Sequence, residues 1–135
     1  MQVLIVGRTH MGTSACVGGL DLETGASLRL FDAAGHYPAV GHYAVGQVWE
    51  MSVSPRTTVR PPHVEDVLVQ KQALIRLDKT PASTISSLVT PWATTLDGVF
   101  DGCLQIANNK LYVGHDLMLP SCSTGFWIAD RDLVY

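Results

Sequence analysis

Gly7 to Ser14, "GRTHMGTS", carries the glycine spacing of a phosphate-binding loop: Gly7 and Gly12 fall where G-x-x-x-x-G-K-[ST] needs them. Such a loop works by aiming backbone N–H groups, a lysine and the N-terminus of a following helix at phosphates. Thr13 stands in the lysine's place, and no other basic residue follows until Arg29. The following "ACVGGLDL" is a poor helix, because its two adjacent glycines each cost about 1 kcal/mol against alanine in a helix interior. The glycines therefore read as a wide turn between antiparallel strands, not as an ATPase loop. His36 and His42 lie in one loop but lack a carboxylate at ligand spacing, so no metal is expected there. Ser121-Cys122-Ser123 lacks the G-x-S-x-G frame of a nucleophile elbow, and His115-Asp116 is only a neighbouring pair. No catalytic constellation and no cofactor are expected.

The elements that would position any other chemistry are short strands. "QVLIV" (2–6) is a continuous apolar run of strand length, and "ACVGGLDL" (15–22) resumes it after the glycine turn. "ETGAS" then supplies a hairpin turn in which Gly25 is free to take positive φ, leading into "SLRLF" (27–31). In that strand Arg29 faces opposite to Leu28 and Leu30. Residues 32–46 form a loop in which the tripeptide Gly-His-Tyr occurs twice, too short to count as a structural repeat. "QVWEMSVS" (47–54) alternates, with Trp49, Met51 and Val53 on the more apolar face. Pro61 and Pro62 forbid a central strand, and "VEDVLV" (64–69) beyond them is a turn or a short strand.

One helix is expected, capped by Thr80, with Pro81 in its first turn and Pro91 ending it. "GVFDGCLQIANNKLYVG" reads as strand–turn–strand about Asn108-Asn109, and "GFWIADRDLVY" as a further strand. Strands this short and frequent, with one helix, indicate a mainly β chain built as a small barrel rather than a parallel α/β sheet.

Composition sets outer limits. A chain of 135 residues, 47% apolar and 16% charged, can bury a core and is not disordered. A net charge of −3 without a basic run weighs against a bulk phosphate binder but permits a local basic groove. Cys16, Cys103 and Cys122 form no C-x-x-C pair and read as reduced, mostly buried thiols of a cytoplasmic protein. The first apolar run is too short for a signal peptide or a membrane span.

The order of these features resembles the prokaryotic dual OB-containing domain family, whose members pair two small oligonucleotide/oligosaccharide-binding barrels. The resemblance rests on Cys16, Gly18 and Gly19, on Arg29, on Gly46 to Met51, and on Pro61 to Val69. "GVFDGC" and "STGFWIAD" are similar to parts of the second barrel. The first loop is less basic than the family's, and the residues up to Tyr135 leave room for only a partial second barrel. The resemblance implies a first OB-like barrel over residues 1–70, then a helix and a second, incomplete barrel over 71–135. It also implies an accessory subunit of a multi-gene prokaryotic system, anti-phage defence included.

An OB-type barrel stacks bases on exposed aromatics while cations follow the phosphates. The candidates for such work are Arg8, His10, Arg29, Tyr37, Arg56, Arg60, Lys110 and Tyr112. Each has a structural alternative: Arg29 as an internal hydrogen-bond donor, Arg56 and Arg60 as solvated turn residues, Tyr37 and Tyr43 as packing for the loop. Trp49, Trp92, Phe100 and Trp127 belong to the core on their pattern. The expected partner is single-stranded nucleic acid or, as the rival reading, a larger protein that the chain completes as an adaptor. Convergence of the basic residues on one groove is the feature that separates the two.

Overall fold

A computed structural model describes residues 1–108, 110–114 and 118–131. Two compact units divide the chain: Met1–Val59 with Glu65–Val89, and Arg60–Val64 with Thr90–Tyr135. The first unit is a closed five-stranded barrel followed by a helix. Its strands are β1 (Gln2–Met11), β2 (Ser14–Asp21), β3 (Ser27–Asp32), β4 (Gln47–Pro55) and β5 (Asp66–Leu77), and the helix is α1 (Pro81–Leu88). The closed order is β1-β2-β3-β5-β4, antiparallel except where β3 meets β5. β5 passes straight through residue 70, where the sequence placed the end of the first barrel.

The barrel closes over alternate side chains of its strands. Val3, Ile5, Val17, Leu28, Leu30, Met51 and Val69 form the buried core, and the Tyr43 ring joins them from the loop before β4. Each such aliphatic side chain contributes roughly 1.5–3 kcal/mol on full burial. The alternation expected in β4 holds: Met51 is buried in this core and Trp49 and Val53 pack against it, while Val48, also buried, belongs to the strand's other face.

The opening glycines have structural duties different from the wide turn expected. β1 and β2 meet at a tight turn of only Gly12 and Thr13, with Gly12 at φ 67°. Gly7 lies instead where the β1–β2 register shifts by one residue after Ile5. Gly19 is a close-approach site, since a Cβ there would stand 2.6 Å from Val3 Cγ1. Gly25 takes φ 73° at the β2–β3 turn, as its sequence context implies.

Two extra residues in β5 are absorbed by bulges against β4, between the pairs Val53–Val69 and Ser52–Lys71, and again between Trp49–Leu74 and Val48–Arg76. Beyond β5, Thr80 occupies the N-cap of α1 without a capping hydrogen bond from its side chain. Asp78 instead ties the entry to the helix in place: its carboxylate accepts from Thr80 N at 2.8 Å and from Thr84 Oγ1 at 2.6 Å. The Thr84 bond foremost holds the Asp78 carboxyl below the ordinary carboxylate range.

The second unit contains a 3₁₀ segment (Leu96–Gly102) and a hairpin of β6 (Leu104–Ala107) and β7 (Lys110–Val113). The hairpin falls where it was expected, with Asn108 at φ 52° in its turn, while Asn109 is outside the described residues. "GFW" forms no regular strand here; Trp127 makes a single bridge to Trp92 and donates from Nε1 to Thr94 O at 2.8 Å. Among the described residues no helix is long and apolar enough to cross a membrane. No disulfide forms among the described residues, and the three cysteines are half-buried.

Gly19→Ala tests the packing around the second strand. Val3 is fully buried and, being β-branched, cannot swing aside, so the variant is expected to lose about 1–3 kcal/mol in urea unfolding at unchanged m-value.

Candidate functional site

The loop 33–46 is held in shape by its first neighbour. The Asp32 carboxylate accepts the N–H groups of Ala34 at 2.9 Å and His36 at 2.8 Å, and the His36 bond foremost keeps that carboxyl below its ordinary range. The duplicated tripeptide turns out to be used twice in the same way. Gly35 and Gly41 both take positive φ, at 85° and 87°, and the tyrosine two residues on packs against the barrel in each case. Tyr37 lies on Phe31 with ring centroids 4.8 Å apart. Tyr43 is buried and meets Trp49 edge-to-face at 5.2 Å.

Across from this loop runs the middle of β5, and between them lies an open groove of about 320 Å³. Tyr37, His42 and Tyr43 line one wall, and Gln70, Lys71 and Gln72 the other. Gln72 ties the walls together: its Oε1 accepts the Tyr43 hydroxyl, and its Nε2 donates to His42 Nε2 at 2.6 Å. That contact requires the imidazole nitrogen to be unprotonated. Burial is the main force on the Tyr43 phenol and pushes it up to about 12. Lys71 is exposed and is in no ion pair among the described residues.

The strongest electrostatic assembly is elsewhere in the same unit. Asp66, buried at the start of β5, accepts Arg29 Nε at 2.6 Å and Nη2 at 3.0 Å, and Arg56 Nη1 at 3.2 Å. Burial works against the Arg29 charge, but the hydrogen bonds and charge of Asp66 outweigh it, and its pKa is raised. The Arg56 guanidinium stacks 4.2 Å over the Phe31 ring whose neighbour is Tyr37. Cys16, near this pair, is kept as a thiol chiefly by burial, with Arg29 opposing.

The sequence candidates thus separate. Arg29 and Arg56 converge on Asp66 rather than on an open groove. Arg8 is exposed on β1 and donates from Nη1 to Tyr43 O at 3.1 Å, which pins the loop. His10 is exposed near the end of β1, and Tyr37 flanks the groove. Arg60, Lys110 and Tyr112 are exposed in the second unit. Sequence reasoning did not single out Gln70, Lys71 and Gln72. The polar run that they form directly after "VLV" was the available signal, masked because no turn residue marks where the strand continues or ends.

The residues considered for enzymatic roles have other partners. His36 pairs with Asp32 at 3.4 Å, whereas His42 engages Gln72, and no group of metal-binding side chains forms among the described residues. Ser121 donates from its N–H and Oγ to the Asp101 carboxylate, at 2.8 and 2.9 Å. His115 and Asp116 lie outside the described residues.

The family model of the dual OB-containing domain matches residues 1–134. No curated protein and no solved structure matches the chain.

Two predictions concern these groups. Asp66→Ala leaves two guanidinium groups without their shared anion, one of them only 11% exposed, and is expected to cost about 3–5 kcal/mol in urea unfolding. The raised Tyr43 phenol means that the folded state resists ionisation more than the unfolded one. Its contribution is complete below pH 10 and is lost as pH rises from 10 towards about 12. Tyr43→Phe should therefore remove both that loss and the late step near 12 in an ultraviolet titration of tyrosinate.

Proposed function

Because the chain belongs to the dual OB-containing domain family, we propose that it is a non-catalytic binding protein that takes a short single-stranded nucleic acid in the groove between loop 33–46 and β5. The observation that carries this reading is the make-up of the two walls. Tyr37 and His42 offer ring surface for a base, Gln70, whose Nε2 donates to Ser54 Oγ at 3.0 Å, offers its amide oxygen for the base edge, and Lys71 offers an uncommitted charge for phosphate. At about 320 Å³ the groove is at the small end of ligand sites, which suits one nucleotide rather than a long stretch of strand.

Affinity is accordingly modest. One stacked base is worth about 1–3 kcal/mol. Arg29 and Arg56 are committed to Asp66, so only one or two phosphates are neutralised. At a slope of about −0.7 per phosphate, binding weakens roughly three- to sevenfold between about 50 and 200 mM salt. A weak, nearly sequence-independent grip fits an accessory subunit that works beside a larger component of a prokaryotic system, of the anti-phage kind among others.

Fluorescence anisotropy with labelled single-stranded DNA and RNA checks this directly. Tyr37→Ala and Lys71→Ala should each weaken binding by about tenfold or more, a loss of one stacked base or one phosphate contact. Lys110→Ala should leave it unchanged. Absence of binding at low salt, or indifference to Tyr37 and Lys71, rejects the groove as a nucleic-acid site.

A further inference from the structure

Strand β5 has two edges, and they are used differently. One pairs with β4 along its length, from Val67 opposite Pro55 to Leu77 opposite Gln47. The other pairs with β3 only from Asp66 to Val69. From Gln70 to Leu77 that second edge has no strand partner among the described residues, and every residue of the stretch is exposed. An open edge presents backbone donors and acceptors that another strand can satisfy. This one also displays large aliphatic groups: Leu74 is 54%, Ile75 45% and Leu77 62% exposed. Its only charged residues are Lys71 and Arg76, both cationic and in no ion pair among the described residues. Asp78, just past the end, accepts hydrogen bonds from Thr84 and Thr80, which hold its carboxyl below the ordinary range ahead of the lesser effect of the Arg76 charge.

We propose that this edge is a docking site for an extended segment of a partner protein in which apolar residues alternate with acidic ones. The alternation matches the strand: apolar side chains cover Leu74 and its neighbours, and carboxylates meet Lys71 and Arg76. A second copy of this chain suits the site poorly, because self-pairing would set two cationic segments side by side. Nucleic acid suits the part of the edge beyond the groove poorly, since residues 73–77 contain no aromatic ring on which to stack a base. The edge shares Gln70, Lys71 and Gln72 with the groove wall but not the rings of Tyr37 and His42, so Tyr37→Ala on one side and Arg76→Glu on the other tell the two assignments apart.

The probe is a short fluorescein-labelled peptide alternating valine and glutamate, added to the full chain, with a valine–lysine peptide and a proline-interrupted valine–glutamate peptide for comparison. Only the uninterrupted glutamate peptide is expected to bind, and hydrogen exchange should slow at the amides of residues 70–77. Arg76→Glu should weaken it on the order of tenfold, as reversal of a cross-strand charge pair allows. Leu74→Asp should do the same by removing apolar contact. Both variants are checked for an unchanged thermal midpoint, and Tyr37→Ala should bind the peptide normally. Equal binding of the glutamate and lysine peptides, or no protection within 70–77, overturns the proposal. So does concentration-dependent dimerisation that Leu74→Asp abolishes, which would make the occupant a second copy.

Discussion

The barrel depends on one buried carboxylate. β3 and β5 run parallel, and theirs is the pairing that closes the sheet. Asp66 stands opposite Arg29 in that pairing, with the Arg29 N–H bonded to Glu65 O at 2.9 Å as the strands meet. A carboxylate removed from water is tolerable only when its lone pairs are occupied, and here two guanidinium groups supply three hydrogen bonds. Any other register would leave Asp66 buried without that compensation. The ion cluster therefore selects the closed arrangement among the pairings that hydrophobic collapse alone would allow.

That assignment changes how the family motif is understood. Arg29 and the Glu65-Asp66 pair are separated by more than thirty residues, yet they are one latch in the fold. Gly46 belongs to a similar connection, since its carbonyl accepts Asp78 N at 2.7 Å and so links the start of β4 to the end of β5. The recognisable residues of the first barrel thus maintain its closure. The groove is formed by residues of a different kind, two aromatic rings from the loop and a polar run from β5.

Much of the fold was legible because its signals are local. Apolar runs and turn glycines located β1 to β4, Pro81 located α1, and the Asn108 turn located the second unit's hairpin. The length of β5 was not legible: "QKQALIRL" has no clean alternation, and its two bulges are consequences of what β4 offers opposite it. The role of Arg29 was equally hidden, since a cation between leucines reads the same whether its anion is a phosphate or a distant aspartate. The groove was half legible. Tyr37 was visible as an aromatic in a loop, but the amides and lysine that face it come from a strand about thirty residues later.

The paired bulges in β5 have a consequence for how this chain can vary in length. Side chains alternate faces with a period of two, so an extra residue in a regular ladder would invert everything beyond it. A bulge sets two residues against one and returns the pairs beyond it to their proper face. Each bulge here absorbs its own extra residue: Ser52–Lys71 and then Val48–Arg76 stay in phase with Val53–Val69 although one and then two residues have been added to β5. The bulge sites are therefore where a residue can be gained or lost without turning the outer half of the strand over.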